Sequence, residues 1–212
     1  VRKLRGLGPS FGPGLEPGAL FAYADPPYVG LSARFYRDEP SFNGEVDHRQ
    51  LLADLERAGY AGWALSCSVK SLRVLLPMCP AGVRVCAWVK PIGVPPATFG
   101  IHGTWEAVVV RGGRQCRPGV RDWLSAQPAR LGGELPGRKP IAFCAWLFDL
   151  LGMVPGDLLA DLFPGSGAVG QAWEELSRGA EHRAGDKRRL FLPSRVEERV
   201  TAFSASPRRR SV

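Results

Sequence analysis

The chain predicts an α/β domain built on a mixed, mainly parallel central sheet. Short apolar runs alternate with stretches of helical periodicity along most of its length. The run Ala19 to Ala24 is apolar enough for a buried strand, and it stops at Pro26 and Pro27, neither of which can donate to a ladder. Leu158 to Phe163 is a second such run that meets a glycine turn before another helical pattern begins. A chain of 212 residues suffices for one such domain with a sizeable core and would cramp two.

Each element has a local reason. Residues 1–18 are rich in Gly and Pro and carry Arg2, Lys3 and Arg5, so a flexible basic lead-in is expected there. Val29 to Val46 lacks periodicity and holds Pro40, Asn43 and Gly44; it reads as a long loop, and long loops in compact domains are often functional. Asp47 is placed to cap a helix with Leu51, Leu52 and Leu55 on its apolar face, ending near Gly59. Gly62 to Ser68 then reads as a strand, Lys70 to Leu76 as a short helix, and Val83 to Val89 and Thr104 to Val110 as strands. Arg111 to Arg138 is a Gly- and Arg-rich connection. Pro140 to Leu151 opens on proline and is followed by Gly152, the pattern of a helix with a glycine C-cap. Ala168 to Ser177 is the last predicted helix, and residues 179–212 read as a basic tail.

The formal charge of +8 points towards a polyanionic partner. From Arg178 onward ten basic residues face four acidic ones, so most of that excess lies in the tail, where a solvated stretch and a phosphate-contacting one are both open readings. Cys67, Cys79, Cys86, Cys116 and Cys144 are odd in number and lack CxxC spacing, which fits a reduced, cytoplasmic protein. His48, His102 and His182 stand apart from one another and from any cysteine pair, so no metal is expected. The longest apolar stretch, Ile141 to Val154, is interrupted by Asp149 and too short to span a bilayer, so no membrane partner is expected either.

Two segments carry chemistry. Pro26 biases Asp25 away from helical geometry, so Asp25, Pro26, Pro27 and Tyr28 hold an acid, a rigid backbone and an aromatic ring at a strand's carboxyl end, where open α/β sheets bind ligands. The turn Gly165, Ser166, Gly167 lets backbone approach a ligand closely and aims helix N–H groups at an anion. Gly165, Gly167 and Gly170 also satisfy GxGxxG, with Asp186 about 20 residues on, which is a nicotinamide-cofactor reading. It occurs so late that too little chain remains to complete a dinucleotide half.

Asp161, Phe163, Gly165 and Gly167 resemble the DxFxGxG S-adenosylmethionine motif of amino-methyltransferases, and Asp25 to Tyr28 resembles their D-P-P-Y catalytic motif. The catalytic motif precedes the cofactor motif, an order similar to the permuted, beta class of bacterial and phage DNA amino-methyltransferases. Lys139 and Pro140 resemble that group's KP-type element, and Trp105 to Val110 its late catalytic strand. The resemblance implies a single Rossmann-like methyltransferase domain over residues 19–178, with a catalytic half 19–111, a connector 112–138 and a cofactor half 139–178. It implies S-adenosylmethionine as cofactor, held by Asp161, Phe163, Gly165, Ser166, Gly167, Lys139 and Pro140. DNA is the implied partner, with adenine N6 ahead of cytosine N4 because serine more often replaces the aspartate in cytosine enzymes; a restriction partner is left open. Asp25 and the Pro26 carbonyl would accept the amine hydrogens, and Tyr28 would stack on a flipped base. Arg34, Arg111, Arg114, Arg117 and Arg121 are candidate nucleic-acid contacts, and His48, Ser66 and Trp105 candidate pocket residues. In the family a strand ending in a ribose-binding acid comes after the cofactor helix. Here Arg178 to Arg189 is polar and offers only Glu181 and Asp186, which motivates the alternative of a non-catalytic DNA-binding relative.

Overall fold

A computed structural model describes residues 16–30, 44–94, 102–129 and 138–184. Six strands form one sheet: β1 (Leu20–Ala24), β2 (Gly62–Ser68), β3 (Arg84–Val94), β4 (Gly103–Gly112), β5 (Trp123–Ser125) and β6 (Leu158–Asp161), in the order β5-β3-β4-β2-β1-β6. β1 runs parallel to both β2 and β6, and β5 parallel to β3, while β4 is antiparallel to both β2 and β3. One strand is therefore reversed in an otherwise parallel sheet. The helices are α1 (His48–Arg57), α2 (Val69–Leu75), α3 (Ile141–Leu151) and α4 (Ala168–Ala184).

Alternation along the strands divides the core between two faces. Phe21, Tyr23, Trp88, Val108 and Val110 pack against α3 and α4 through Phe143, Leu147, Val169 and Trp173. Ala22, Ala24, Trp63, Leu65 and Val109 pack against α1 and α2 through Leu51, Leu52, Leu55 and Leu75. Both faces of the sheet are covered, as parallel strands require. The chain leaving β1 leads to α1 on one face, whereas β6 leads into α4 on the other. A crevice therefore opens between the carboxyl ends of β1 and β6, the switch point at which such sheets bind ligands.

Local chemistry sets the boundaries. Asp47 caps α1, its side chain accepting from the Gln50 N–H at 3.0 Å. Ser68 caps α2 in the same way, so that helix starts at Val69. Gly152 closes α3 in the left-handed conformation with φ 64°, where a Cβ would be strained. Several boundaries differ from the sequence reading, among them β3, which runs on past Val89 to Val94. The predicted connection 111–138 contains β5, three residues that pair with Ala87, Trp88 and Val89. β6 ends at Asp161, so Phe163 lies beyond the strand. α4 runs on to Ala184, so helix occupies much of the polar stretch in which a further strand was sought.

Most of the lead-in, the loop segment 31–43 with Arg34, and the tail from 185 with Asp186 lie outside the described residues. Among the described residues no helix is long and apolar enough to cross a membrane.

Candidate active site

Tyr23 and Asp161 are register partners on β1 and β6, and the Leu162 N–H bonds the Tyr23 carbonyl at 2.9 Å just past the strand end. The proline corner and the glycine elbow therefore leave the sheet side by side. The Asp25 charge is close enough to contribute to raising the pKa of Asp161.

Asp25 forms an ion pair with Lys139, whose side chain is 6 % exposed. The Lys139 ammonium also lies 5.9 Å from the Trp88 ring centroid and 5.8 Å from that of Phe143, so two aromatic walls and one carboxylate surround it. Lys139 stands immediately before Pro140, the N-cap of α3. The resemblance implies a cofactor role for Lys139; in the structure its ammonium is seated on the catalytic-motif acid.

Asp161 is the centre of the elbow. Burial lifts its pKa to about 6, outweighing the lowering influence of the Phe163 and Gly170 backbone N–H groups and of Lys139. Its Oδ1 is buried with no hydrogen-bond partner. Gly165 and Gly167 have φ of 49° and 71°, and a Cβ built on Gly165 would find nothing nearer than the Phe163 carbonyl at 3.9 Å. A bare backbone loop, a helix N-terminus and an unsatisfied buried acceptor thus converge, a set suited to a zwitterionic amino-acid group.

At the other end of the tetrapeptide Tyr28 is half-buried, and burial together with the neighbouring Asp25 and Glu106 charges pushes its pKa well up. Glu106 is ion-paired with Lys90, whose ammonium lies 4.6 Å from the Trp88 ring centroid. The Trp88 indole N–H donates to the Ala126 carbonyl at 2.9 Å. Glu106 and Lys90 were not singled out from sequence. The available signal was phase: Glu106 alternates with the buried Val108 and Val110, and Lys90 with Cys86 and Trp88.

The other candidates have structural partners. Ser66 bonds the Tyr23 hydroxyl at 2.8 Å, His48 Nδ1 meets the Val46 carbonyl at 2.9 Å, and Trp105 packs against the α1/α2 core. Arg111 to Arg121 lie towards the opposite end of the sheet. Arg114 is corrected from a nucleic-acid contact to a buried clamp, for its guanidinium is engaged with Asp157 and the Glu16 carbonyl and only 12 % of the side chain is exposed. Arg111 Nε approaches Glu56 at 3.9 Å, Arg117 pairs with Asp149, and Arg121 lies 5.5 Å from the Trp123 ring centroid.

No family model and no curated protein matches the sequence. Among solved structures, M1.HpyAVI in complex with SAM is similar at 18 % identity, over 76 % of this chain and 80 % of that one, with a TM-score of 0.51. A second structure of M1.HpyAVI aligns at 17 % identity over 76 % and 78 %, with a TM-score of 0.48. At such identity the likeness is one of architecture. The chain has the Rossmann-like α/β fold of M1.HpyAVI.

Proposed function

We propose that the protein is an S-adenosylmethionine-dependent DNA methyltransferase that modifies an exocyclic base amine, adenine N6. The observation that carries this reading is the pairing of Tyr23 with Asp161, which brings a D-P-P-Y corner and a DxFxGxG elbow to one crevice from opposite ends of the chain. The likeness to a SAM-bound fold supports the choice of cofactor.

The residues present fit that cofactor. The unpartnered Asp161 Oδ1 suits its ammonium, and the N-terminus of α4 suits its carboxylate. When bound, S-adenosylmethionine supplies an electrophilic methyl group on a sulfonium. The chain's own task is to prepare the amine, whose lone pair is delocalised into the base ring. Asp25 and the Pro26 carbonyl accept its hydrogens and leave the lone pair free to point at the electrophile. Lys139 holds Asp25 in place, so this acceptor is set before substrate arrives. Tyr28 offers a ring face to a base extruded from the duplex. Aspartate at position 25, through the family resemblance, selects adenine over cytosine.

Incubation with methyl-labelled cofactor and duplex DNA of varied sequence, followed by nucleoside analysis, should place label on N6 of adenine. Asp25→Ala should abolish it. Label on N4 of cytosine would overturn the base assignment, and undiminished transfer by Asp25→Ala would overturn the role of the corner.

A further inference from the structure

A cavity of about 530 Å³ lies at the end of the sheet away from the crevice, between the start of β3, the end of β4, the connection 115–122 and the last turn of α3. Close-packed interiors leave few voids larger than a water molecule, and this volume falls in the range of small-molecule sites. Its floor is apolar: Cys86, Val110 and Leu150 belong to the core on the α3 face, and Val120 packs against them. Its wall is preformed. The Trp146 indole N–H donates to the Arg121 carbonyl at 2.8 Å, the Ala87 N–H to the Asp122 carbonyl at 2.9 Å and the Cys116 thiol to the Leu150 carbonyl at 3.4 Å, so the connection is tied to both α3 and β3.

Charge gathers at the rim. Along β3 the residues in phase with the core are Trp88, Cys86 and then Arg84, the register partner of Val110. Phase calls for an apolar side chain at that position, and the chain sets an exposed arginine there. Arg121, also exposed, lines the same cavity from the connection. Among the described residues neither guanidinium is ion-paired, and the Asp122 carboxylate is the acid between them, so the rim sets two positive charges against one negative. The planar fork of a guanidinium matches the oxygens of phosphate and carboxylate. A phosphate monoester is close to dianionic at neutral pH, which makes it the head that two such groups suit best, while the apolar floor suits a ring or hydrocarbon body.

We propose that this cavity is a small-molecule site distinct from the crevice, and that it takes a phosphate monoester with an aromatic or apolar body: Arg84 and Arg121 hold the phosphate, and Val110, Val120 and Leu150 seat the body. Lys139 stands before α3 beside Asp25, and Leu150 is in the last turn of that helix, so roughly 15 Å of helix separates the two sites. Both can therefore be filled at once.

Naphthyl phosphate serves as the probe, added to the full chain with isotope-labelled Val and Leu methyl groups and followed by NMR. The Val110, Val120 and Leu150 resonances should shift and saturate. Inorganic phosphate, which lacks the body, should bind more weakly at the same resonances, as should naphthoate, which carries a single charge. Arg84→Gln and Arg121→Gln should each weaken naphthyl phosphate roughly tenfold, the scale of one hydrogen bond to a charged group. Both side chains are exposed, so both variants should unfold in urea as the wild type does. Failure of the three resonances to saturate, or shifts confined to residues of the crevice, would overturn the site. Undiminished affinity in both arginine variants, or naphthoate bound as tightly as naphthyl phosphate, would overturn the assigned head group. The cavity lies outside the methyl-transfer reading, so a wild-type protein that transfers no methyl to DNA would leave each of these outcomes with the same meaning.

Discussion

Replacing Arg114 by Met should destabilise the protein by about 3–5 kcal/mol, the cost of leaving a buried charge without its counterion. The Asp157 carboxylate is wholly buried, and the two guanidinium nitrogens of Arg114 meet it, Nη2 reaching Oδ1 at 2.8 Å. Three backbone donors converge on the same group: Gly18 and Ala19 N–H at 3.1 Å on Oδ1, and Val154 N–H at 2.8 Å on Oδ2. Asp157→Asn should cost a similar amount although it preserves volume. Both oxygens are surrounded by donors, so either orientation of the amide turns an NH2 group against at least two of them. Domains are stable by about 5–15 kcal/mol, so either change removes a large part of the total. Urea unfolding followed by circular dichroism should show a lower midpoint at unchanged slope. The apolar double variant Arg114→Met with Asp157→Leu should not recover stability, as it would for a simple ion pair, because three backbone N–H groups lose their acceptor. Full recovery, or a loss below about 1 kcal/mol in either single variant, would refute the reasoning. The clamp also bears on function. It joins the beginnings of β1 and β6, where the Leu158 N–H bonds the Ala19 carbonyl at 2.9 Å, and so sets the register that aligns Tyr23 with Asp161 at the other end.

Four further outcomes are expected. Because burial lifts the Asp161 pKa to about 6, the folded state holds a proton there that the unfolded state has released, so stability falls as pH rises from the ordinary carboxylate range through about 6 and then levels off. Asp161→Asn should match the wild type in acid, exceed it in stability at neutral pH and bind S-adenosylmethionine poorly; a stability difference independent of pH in urea titrations would contradict this. Gly62→Ala should cost about 1–3 kcal/mol in thermal or urea unfolding, because its Cβ would stand 2.5 Å from the Gly113 nitrogen and 2.8 Å from its Cα, both backbone atoms that cannot swing aside. Gly165→Ala should cost about 1–2 kcal/mol, since φ there is 49°, and should weaken cofactor binding measured by calorimetry. The double variant Arg117→Glu with Arg121→Glu should leave the salt dependence of DNA affinity unaltered, because both lie away from the crevice; a slope reduced by roughly 0.9 per arginine would place them on phosphates.

The parts of the site written into the backbone were legible in the sequence, and the parts written into long-range pairing were not. Consecutive prolines must end a strand and glycines must turn before a helix, so the corner and the elbow are visible without knowledge of their neighbours. β5 was missed because three residues on a sheet edge give no periodicity, with Trp123 and Ser125 exposed. The last turns of α4 were missed because Gly179 and the polar residues after Ser177 carry no apolar stripe. Asp157 and Arg114 meet across 43 positions, and nothing local distinguishes that arginine from Arg117 three residues later, which is exposed on the surface. Net charge therefore suggested a polyanion without saying which arginines face it. Glu106 was passed over for a topological reason. Ligand sites in parallel sheets are sought in the turn after each strand, and by that rule β4 offers Gly112 and Gly113, at the wrong end of the molecule. Reversing one strand exchanges its ends, so the residue β4 contributes to the crevice is near its start, hidden in an apparently ordinary amphipathic run. In a mixed sheet the search must cover both ends of every strand, with a charged residue in phase with the core as the mark to look for.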